Sequence, residues 1–316
     1  MMRLRHLLCA TMLVSCAAAP LAAQSPLFAV ADSAWDAESL GNHRAVVRVD
    51  AAGRFVHVTV PWRRPDRNPE AKGVIVVAER GGAAIANVRR GAVTQAAGEF
   101  DFEPVSGAGR YYIYYLPFKS GGRSNYPNVT YLPVTPTADT AWMGALARAG
   151  AVPSATVERF ESVDALNSFA PMEVIATPRE LAALDAASAH EPFVVFPEDR
   201  MHSIRMRDQL PQRWVDRGAT RTFADRARRG EFLAFQLGLW AREPVSNVRV
   251  TFSDLRNGAA VIPARALTSI NEGGTNWDGA RFTKRVDVAA GAVQALWCGV
   301  DVPLRAAPGT YTGTAT

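Results

Sequence analysis

The stretch from Asn271 to Gly279 reads Asn-Glu-Gly-Gly-Thr-Asn-Trp-Asp-Gly and is the part of the sequence best suited to contact a sugar. Amide and carboxylate groups form hydrogen bonds with hydroxyls, and an indole packs against the apolar face of a pyranose. Glycines let the backbone approach a ligand closely. The candidate carbohydrate-binding residues in this stretch are Asn271, Asn276, Trp277 and Asp278.

Two other interpretations of this stretch stay open. It is also consistent with a long glycine-rich hairpin loop in which Trp277 folds back on the protein. Calcium binding is a third possibility, although Glu272 and Asp278 lack the regular spacing of a calcium loop. We predict no metal site and no cofactor.

A second candidate site is the loop Pro-Trp-Arg-Arg-Pro-Asp-Arg over residues 61–67. Its Trp62 and Arg63 could contact a sugar, a uronate or another domain. The alternative is a structural loop that is held by arginine–aspartate pairs.

Two further groups have the right chemistry but an unsuitable setting. Glu198 and Asp199 are adjacent acids, whereas a glycosidase needs two carboxyl groups on opposite sides of a sugar. Neighbours on an extended strand point in opposite directions, so this pair alone is not a catalytic dyad. We expect these acids to pair with Arg200 or Arg205. Cys298 lies in an apolar run and is expected to be a buried small hydrophobe. We therefore assign no catalytic residue.

The N-terminus has the pattern of an export signal. Arg3 and Arg5 precede an apolar stretch over residues 7–19, which is too short for a permanent membrane span. We expect residues 1–23 to be removed, giving a secreted or periplasmic protein. The sequence Leu-Val-Ser-Cys ending at Cys16 resembles a bacterial lipobox, so lipidation of Cys16 and an outer-membrane lipoprotein are the alternative.

Charge and composition restrict the class of partner. The chain has 316 residues with 35 Lys and Arg against 30 Asp and Glu, and removal of Arg3 and Arg5 leaves 33 basic residues. Apart from Arg63-Arg64 and the segment 226–229, the basic residues are scattered and are not interleaved with aromatics. We therefore expect no nucleic acid partner.

Many short apolar runs separated by Gly, Pro and Asp predict a mostly β fold. Residues 28–135 are predicted to form an N-terminal β-sandwich, and 111–115 to be a strand with tyrosines on both faces. Residues 136–230 read as a mixed α/β connector, with a capping box at Thr177 and Glu180 ahead of a helix. Residues 231–316 read as a second β-sandwich that is cut short by the end of the sequence.

Several segments, taken in order, resemble the N-terminal part of bacterial glycoside hydrolase domain proteins that are similar to family 123. The resemblance extends over most of residues 28–316. The matching segments are Leu-Gly-Asn-His-Arg at 40–44, Pro-Trp-Arg-Arg-Pro-Asp at 61–66, Gly-Arg-Tyr-Tyr-Ile-Tyr-Tyr-Leu-Pro at 109–117, Phe-Pro-Glu-Asp-Arg at 196–200, Val-Gln-Ala-Leu-Trp-Cys-Gly-Val-Asp-Val-Pro at 293–303 and Pro-Gly-Thr-Tyr-Thr-Gly at 308–313.

The resemblance implies that a downstream (β/α)₈ barrel carries an Asp–Glu pair, which acts with the acetamido group of the substrate. It also implies a glycan partner, with N-acetylhexosamine-containing glycans as the class. Independently, a barrel needs about 250 residues, and only about 95 residues lie outside the predicted β domains. We therefore expect this chain to stop before its catalytic domain and to be inactive alone.

Two functions follow as hypotheses. The chain is a non-catalytic accessory part of a secreted glycoside hydrolase, which binds carbohydrate or shapes the cleft of the barrel. The alternative is a structural or interaction β-sandwich module of the cell envelope without glycan binding.

Overall fold

The computed structural model describes residues 27–51, 53–123, 125–188 and 191–316. The predicted signal peptide and Cys16 lie outside these described residues. The described chain is mostly β, as the sequence predicts. Its strands form two groups, which we name the first β region (residues 27–163) and the second β region (residues 170–316).

The elements of the first β region alternate between short strands and turns. In chain order they are β1 (Phe28–Val30), α1 (Ala37–Leu40), β2 (His43–Val49), β3 (Val56–Val60), a 3₁₀ turn (Pro69–Ala71), β4 (Val74–Ala78), β5 (Val88–Val93), β6 (Gly98–Phe102), β7 (Gly109–Tyr115), β8 (Phe118–Arg123), β9 (Tyr126–Tyr131), α2 (Thr140–Ala147) and β10 (Thr156–Ser162).

Two sheets of the first β region face each other across one core. One sheet has the strand order β1-β10-β2-β7-β4, and the other has the order β3-β6-β5. Alternate side chains of a strand point to the same face, so Val47 on β2, Val58 on β3 and Ile113 on β7 enter the same hydrophobic cluster. This arrangement is a β-sandwich.

Strand β7 shows the alternation clearly. Tyr111 and Tyr115 are fully inside the core. Tyr112 faces the other way, and the Arg44 guanidinium lies over its ring at 3.7 Å. The outer tyrosine row is therefore covered by a cation and is not an open stacking surface.

The second β region has longer strands at its centre and short ones around it. In chain order its elements are α3 (Pro178–Ala187), β11 (Phe193–Asp199), α4 (Gln212–Arg217), β12 (Phe232–Ala241), β13 (Leu255–Asn257), β14 (Ala260–Ile262), a 3₁₀ turn (Ala264–Ala266), β15 (Leu267–Ser269), a 3₁₀ turn (Ile270–Glu272), β16 (Gly273–Thr275), β17 (Arg281–Thr283) and β18 (Val293–Asp301).

The central sheet of the second β region has the order β11-β12-β18-β15. On one face Phe196 stacks on Trp214 of α4, with ring centroids 4.5 Å apart. On the other face Leu239 packs with Val286 and Leu296. The sheet is thus covered by helices on one side and by short β segments on the other.

The pairing of the strands places the boundary between the two β regions inside the segment 136–230 that was predicted to be a connector. Strand β10 pairs with β1 and β2 in the first sandwich, although 136–230 was predicted to be a connector. Strand β11 pairs with β12 in the second β region. The predicted connector is divided between the two regions because each of its strands finds its partner in a different sheet. The capping box at Thr177 and Glu180 is present at the start of α3, as predicted.

The last residues are hydrogen-bonded to the second β region. The Thr316 amide donates to the Thr251 carbonyl at 2.8 Å, and Thr312 exchanges backbone hydrogen bonds with Arg256. No helix within the described residues is long and apolar enough to cross a membrane.

Candidate functional site

Trp277 lies at the tip of the hairpin formed by β16 and β17, and 99% of its surface is exposed. The turn is held by two backbone hydrogen bonds. The Asn276 amide donates to the Ala280 carbonyl at 2.8 Å, and the Gly279 amide donates to the Asn276 carbonyl at 3.0 Å. Gly279 has a φ of 83°, which glycine adopts without strain. The structure therefore displays this indole on an ordered turn and does not fold it back on the protein.

Asn276 and Asp278 flank the exposed indole and are themselves exposed. One oxygen of Asp278 accepts a hydrogen bond from the Ala280 amide at 3.0 Å. Both side chains are exposed, so the other carboxylate oxygen of Asp278 and the side-chain amide of Asn276 are accessible to solvent. Three of the four predicted residues of this stretch thus lie together at the hairpin tip.

Asn271 does not join them. Its Oδ1 accepts a hydrogen bond from the Trp297 amide at 2.6 Å, so the side chain fixes a 3₁₀ turn to β18. The neighbouring Glu272 carboxylate similarly accepts from the Val250 amide at 2.7 Å. Because both side chains accept hydrogen bonds from backbone amides of the protein, they stabilise the base of the hairpin, and Asn271 is not part of its tip.

Trp62 lies in the core of the first β region, with only 2% of its surface exposed. Its Nε1 donates to the Thr94 carbonyl at 2.9 Å, and its ring lies against Phe100 and Tyr115. An indole in this position has no face open to a sugar. We therefore leave Trp62 out of the candidate site. The ring fits into the core because it occupies the space over Gly98, which has no side chain.

Arg63 faces away from that core and binds the second β region. Its two terminal nitrogens donate to the two carboxylate oxygens of Glu180 at 2.6 and 2.8 Å. Its backbone carbonyl accepts from the Ile175 amide at 3.1 Å. Arg63 is thus engaged with its own chain, and we leave it out of the candidate sugar site.

The Arg63 guanidinium holds the pKa of the Glu180 carboxyl at about 2, against an ordinary value of 4.5. Hydrogen bonding by Arg63 is the main cause, and it outweighs the opposing effect of burial. The backbone of Thr177 adds a further hydrogen bond at 2.7 Å. Glu180 therefore serves both the helix cap and the contact between the regions.

Residues 33–163 match the family model described as glycoside hydrolase 123, N-terminal domain. Residues 33–163 form a family 123-like N-terminal region. The match spans the first sandwich from α1 to β10, and over these residues it confirms the resemblance inferred from the sequence.

Other comparisons cover less of the chain. The structure of a family 123 glycoside hydrolase from Clostridium perfringens, studied for glycolipid glycan hydrolysis, matches at 22% identity with a TM-score of 0.22. The match covers 28% of this chain and 18% of that chain. No curated protein matches the sequence.

The candidate hairpin lies outside the family 123-like region. Trp62 and Arg63 are inside residues 33–163, whereas Trp277 is in the second β region. The family match therefore covers the first sandwich only and does not include the exposed hairpin.

The acids at the end of β11 have different partners from those predicted. Glu198 is 1% exposed and accepts from the Trp214 indole at 2.9 Å, with Arg217 at 3.0 Å. Asp199 pairs with His202 at 2.9 Å. Arg200 pairs instead with Glu231. The prediction of pairing with Arg200 or Arg205 is wrong, because α4 brings its own donors to Glu198 and the turn after β11 brings His202 to Asp199.

Glu198, Trp214 and Arg217 form a cluster around a buried carboxylate, the Glu198 cluster, which was not predicted from the sequence. A signal for it exists in Gly238 of β12, because the Trp214 ring lies directly over this residue, where any side chain would clash. A glycine inside an apolar strand marks a position where a large ring approaches closely.

Cys298 is fully buried, as predicted. Burial raises the pKa of its thiol to about 12, so the thiolate nucleophile is not formed at neutral pH. Within residues 27–51, 53–123, 125–188 and 191–316, no group of three or more His, Cys, Asp or Glu side chains is placed to hold a metal ion.

Proposed function

We propose that this chain is a non-catalytic accessory part of a secreted glycoside hydrolase, and that it contacts glycan with the hairpin tip around Trp277. The observation that carries the proposal is the 99% exposure of this indole on an ordered turn. The family 123-like region supports the assignment to a glycoside hydrolase.

The chemistry of the tip suits a sugar. A fully exposed indole leaves a large apolar surface in water, and stacking on the C–H face of a pyranose would cover it. Asn276 and Asp278 stand on either side of Trp277 and offer both donors and acceptors for hydroxyl groups. Because the hairpin is held by its own hydrogen bonds, little ordering would accompany binding.

Catalysis is assigned in this proposal to a separate (β/α)₈ domain of the full-length relatives. The described sheets are open and are mainly antiparallel, unlike a barrel of eight parallel strands. We expect no turnover of aryl N-acetylhexosaminides or aryl hexosides by this chain alone. Reproducible hydrolysis that a point substitution in the chain abolishes would contradict this assignment.

Binding of N-acetylhexosamine oligosaccharides by the wild-type chain and by Trp277→Ala tests the proposed contact. Loss of one stacked aromatic should weaken binding by about 1–3 kcal/mol, or roughly five- to 150-fold. Leu304→Ala is the matched control, because Leu304 is another apolar side chain that is largely exposed, at 78%. If the wild-type chain binds no glycan, the chain is a structural or interaction module of the envelope instead.

Export is a further part of the proposal. It rests on Arg3, Arg5 and the apolar stretch 7–19, and it implies removal of residues 1–23. The intact mass of the protein recovered from the producing cell tests it. A diacylglyceryl group on Cys16 would identify an outer-membrane lipoprotein, and a chain that still starts at Met1 would contradict export.

A further inference from the structure

The loop ahead of β12 forms a cationic recess of about 540 Å³ on the second β region. Residues 221–230 of this loop are all exposed. The charged side chains that line it are those of Arg200, Arg226, Arg228, Arg229 and Glu231. Four guanidinium groups thus share one recess with one carboxylate.

That carboxylate is already used within the protein. One Glu231 oxygen accepts from the Arg200 guanidinium at 2.6 Å, and the other accepts from the Arg228 amide at 2.7 Å. Asp225, next to the recess, accepts from the Arg226 amide at 2.7 Å. The guanidinium groups of Arg226 and Arg229 have no ion pair or hydrogen bond among the described residues. The recess therefore keeps an excess of positive charge.

The loop that carries these arginines is anchored at both ends. Phe223 stacks on Phe235 of β12 with ring centroids 5.2 Å apart. At the other end the Gly230 amide donates to the Val302 carbonyl at 2.8 Å, and the Val302 amide donates to the Glu231 carbonyl at 2.9 Å. The guanidinium groups are thus presented from a fixed backbone, which lowers the entropy cost of binding.

We propose that this recess binds an anionic sugar unit of a glycan, one that carries a carboxylate or a sulfate group. The planar guanidinium donates two parallel hydrogen bonds to such groups, and Arg226 and Arg229 are free to do so. The proposal rests on the proposed glycan contact of this chain and adds the charge class of its ligand. Nucleic acid is disfavoured because residues 221–230 contain a single aromatic, Phe223, and one of its faces is stacked on Phe235.

Calorimetric titration of the exported chain tests the proposal with defined probes. A galacturonate hexasaccharide supplies carboxylates, and a heparin-type hexasaccharide supplies sulfates. A neutral chitin hexasaccharide and inorganic polyphosphate are the comparison probes. The variant is Arg226→Ala/Arg229→Ala, and the matched control is Arg249→Ala/Arg265→Ala. The control removes the same charge from exposed arginines that have no ion pair or hydrogen bond among the described residues.

We expect at least one anionic hexasaccharide to bind, more tightly at low salt, because charge–charge attraction is screened by salt. The recess variant should weaken this binding about tenfold or more, and the control pair less than about twofold. Unchanged melting temperatures establish that both variants are folded. The carboxylate and sulfate arms then identify which group is bound.

Three results would overturn the proposal. The first is that the wild-type chain binds neither anionic hexasaccharide. The second is that substitution of either arginine pair weakens binding equally. The third is that polyphosphate binds while both anionic hexasaccharides do not. The titration with the neutral hexasaccharide and Trp277→Ala tests the hairpin separately. A negative result for the hairpin can therefore be distinguished from a negative result for the recess.

Discussion

The guanidinium of Arg63 and the carboxylate of Glu180 form a two-point ion pair between residues that are 117 positions apart in the chain. Arg63 follows β3 of the first β region, and Glu180 lies in the first turn of α3 in the second. The pair is only partly open to solvent, with 12% and 28% of the two side chains exposed. It therefore joins the family 123-like sandwich to the region that carries the exposed hairpin.

A double-mutant cycle on Arg63→Ala and Glu180→Ala should give a coupling free energy of unfolding of about 1–3 kcal/mol, because the hydrogen bonds are charged and partly buried. Urea unfolding measures it. The control cycle uses Arg221→Ala and Glu191→Ala, an ion pair whose side chains are 89% and 52% exposed. That pair should couple by about 0.5 kcal/mol or less, and equal coupling in both cycles would contradict the account.

The stability contributed by Glu180 should depend on pH in one direction. Its pKa is about 2 in the folded chain and returns towards 4.5 on unfolding. A lowered pKa means that the carboxylate stabilises the fold fully above about pH 4.5 and loses this contribution as pH falls towards 2. The stability difference between the wild-type chain and Glu180→Gln should therefore be constant above pH 5 and shrink below 4.5. A difference that grows on acidification would contradict the ion pair.

Truncation of Trp62 should destabilise the chain strongly, whereas truncation of Trp277 should leave its stability nearly unchanged. Trp62→Ala should cost about 3–5 kcal/mol, because it leaves a large cavity in the first core. Trp277→Ala should change the free energy of unfolding by less than about 0.5 kcal/mol, because its indole is exposed. Chemical denaturation of both variants measures the contrast. A large loss with Trp277→Ala would mean that the indole packs on the protein.

Trp214→Phe should destabilise the second β region by about 1–3 kcal/mol. The substitution removes the indole N–H donor to the buried Glu198 carboxylate, which keeps only its arginine partners, and it also shortens the ring whose far edge lies over Gly238. Trp277→Phe is the matched control and should be neutral. Equal stability of the two variants would contradict a structural role for the Glu198 cluster.

The local patterns of the sequence predicted the local structure well. Alternation of apolar residues located the strands around Val47 and Val58, since burial on one face imposes a period of two. The capping box at Thr177 was predicted because its residues are three positions apart. The burial of Cys298 followed from its apolar neighbours.

Contacts between distant residues could not be predicted in the same way. The sequence around Trp62 left both ligand contact and a structural loop open, and the ring enters the core because Gly98 on β6 leaves room for it. Arg63 could pair with any of several acids, and the packing of α3 selects Glu180. The exposure of Trp277 likewise depends on the hairpin that projects it, which the order of residues alone leaves open.

The indole N–H resonances of the seven tryptophans provide the most direct test of glycan contact at the hairpin. The resonance of Trp277 is assigned by its loss in Trp277→Phe, and an N-acetylhexosamine oligosaccharide is then titrated into the ¹⁵N-labelled chain. We predict that the Trp277 resonance shifts in a saturable way, while that of the buried Trp62, bonded to the Thr94 carbonyl, stays in place. A Trp277 resonance that does not move at the highest soluble glycan concentration would contradict the proposed contact.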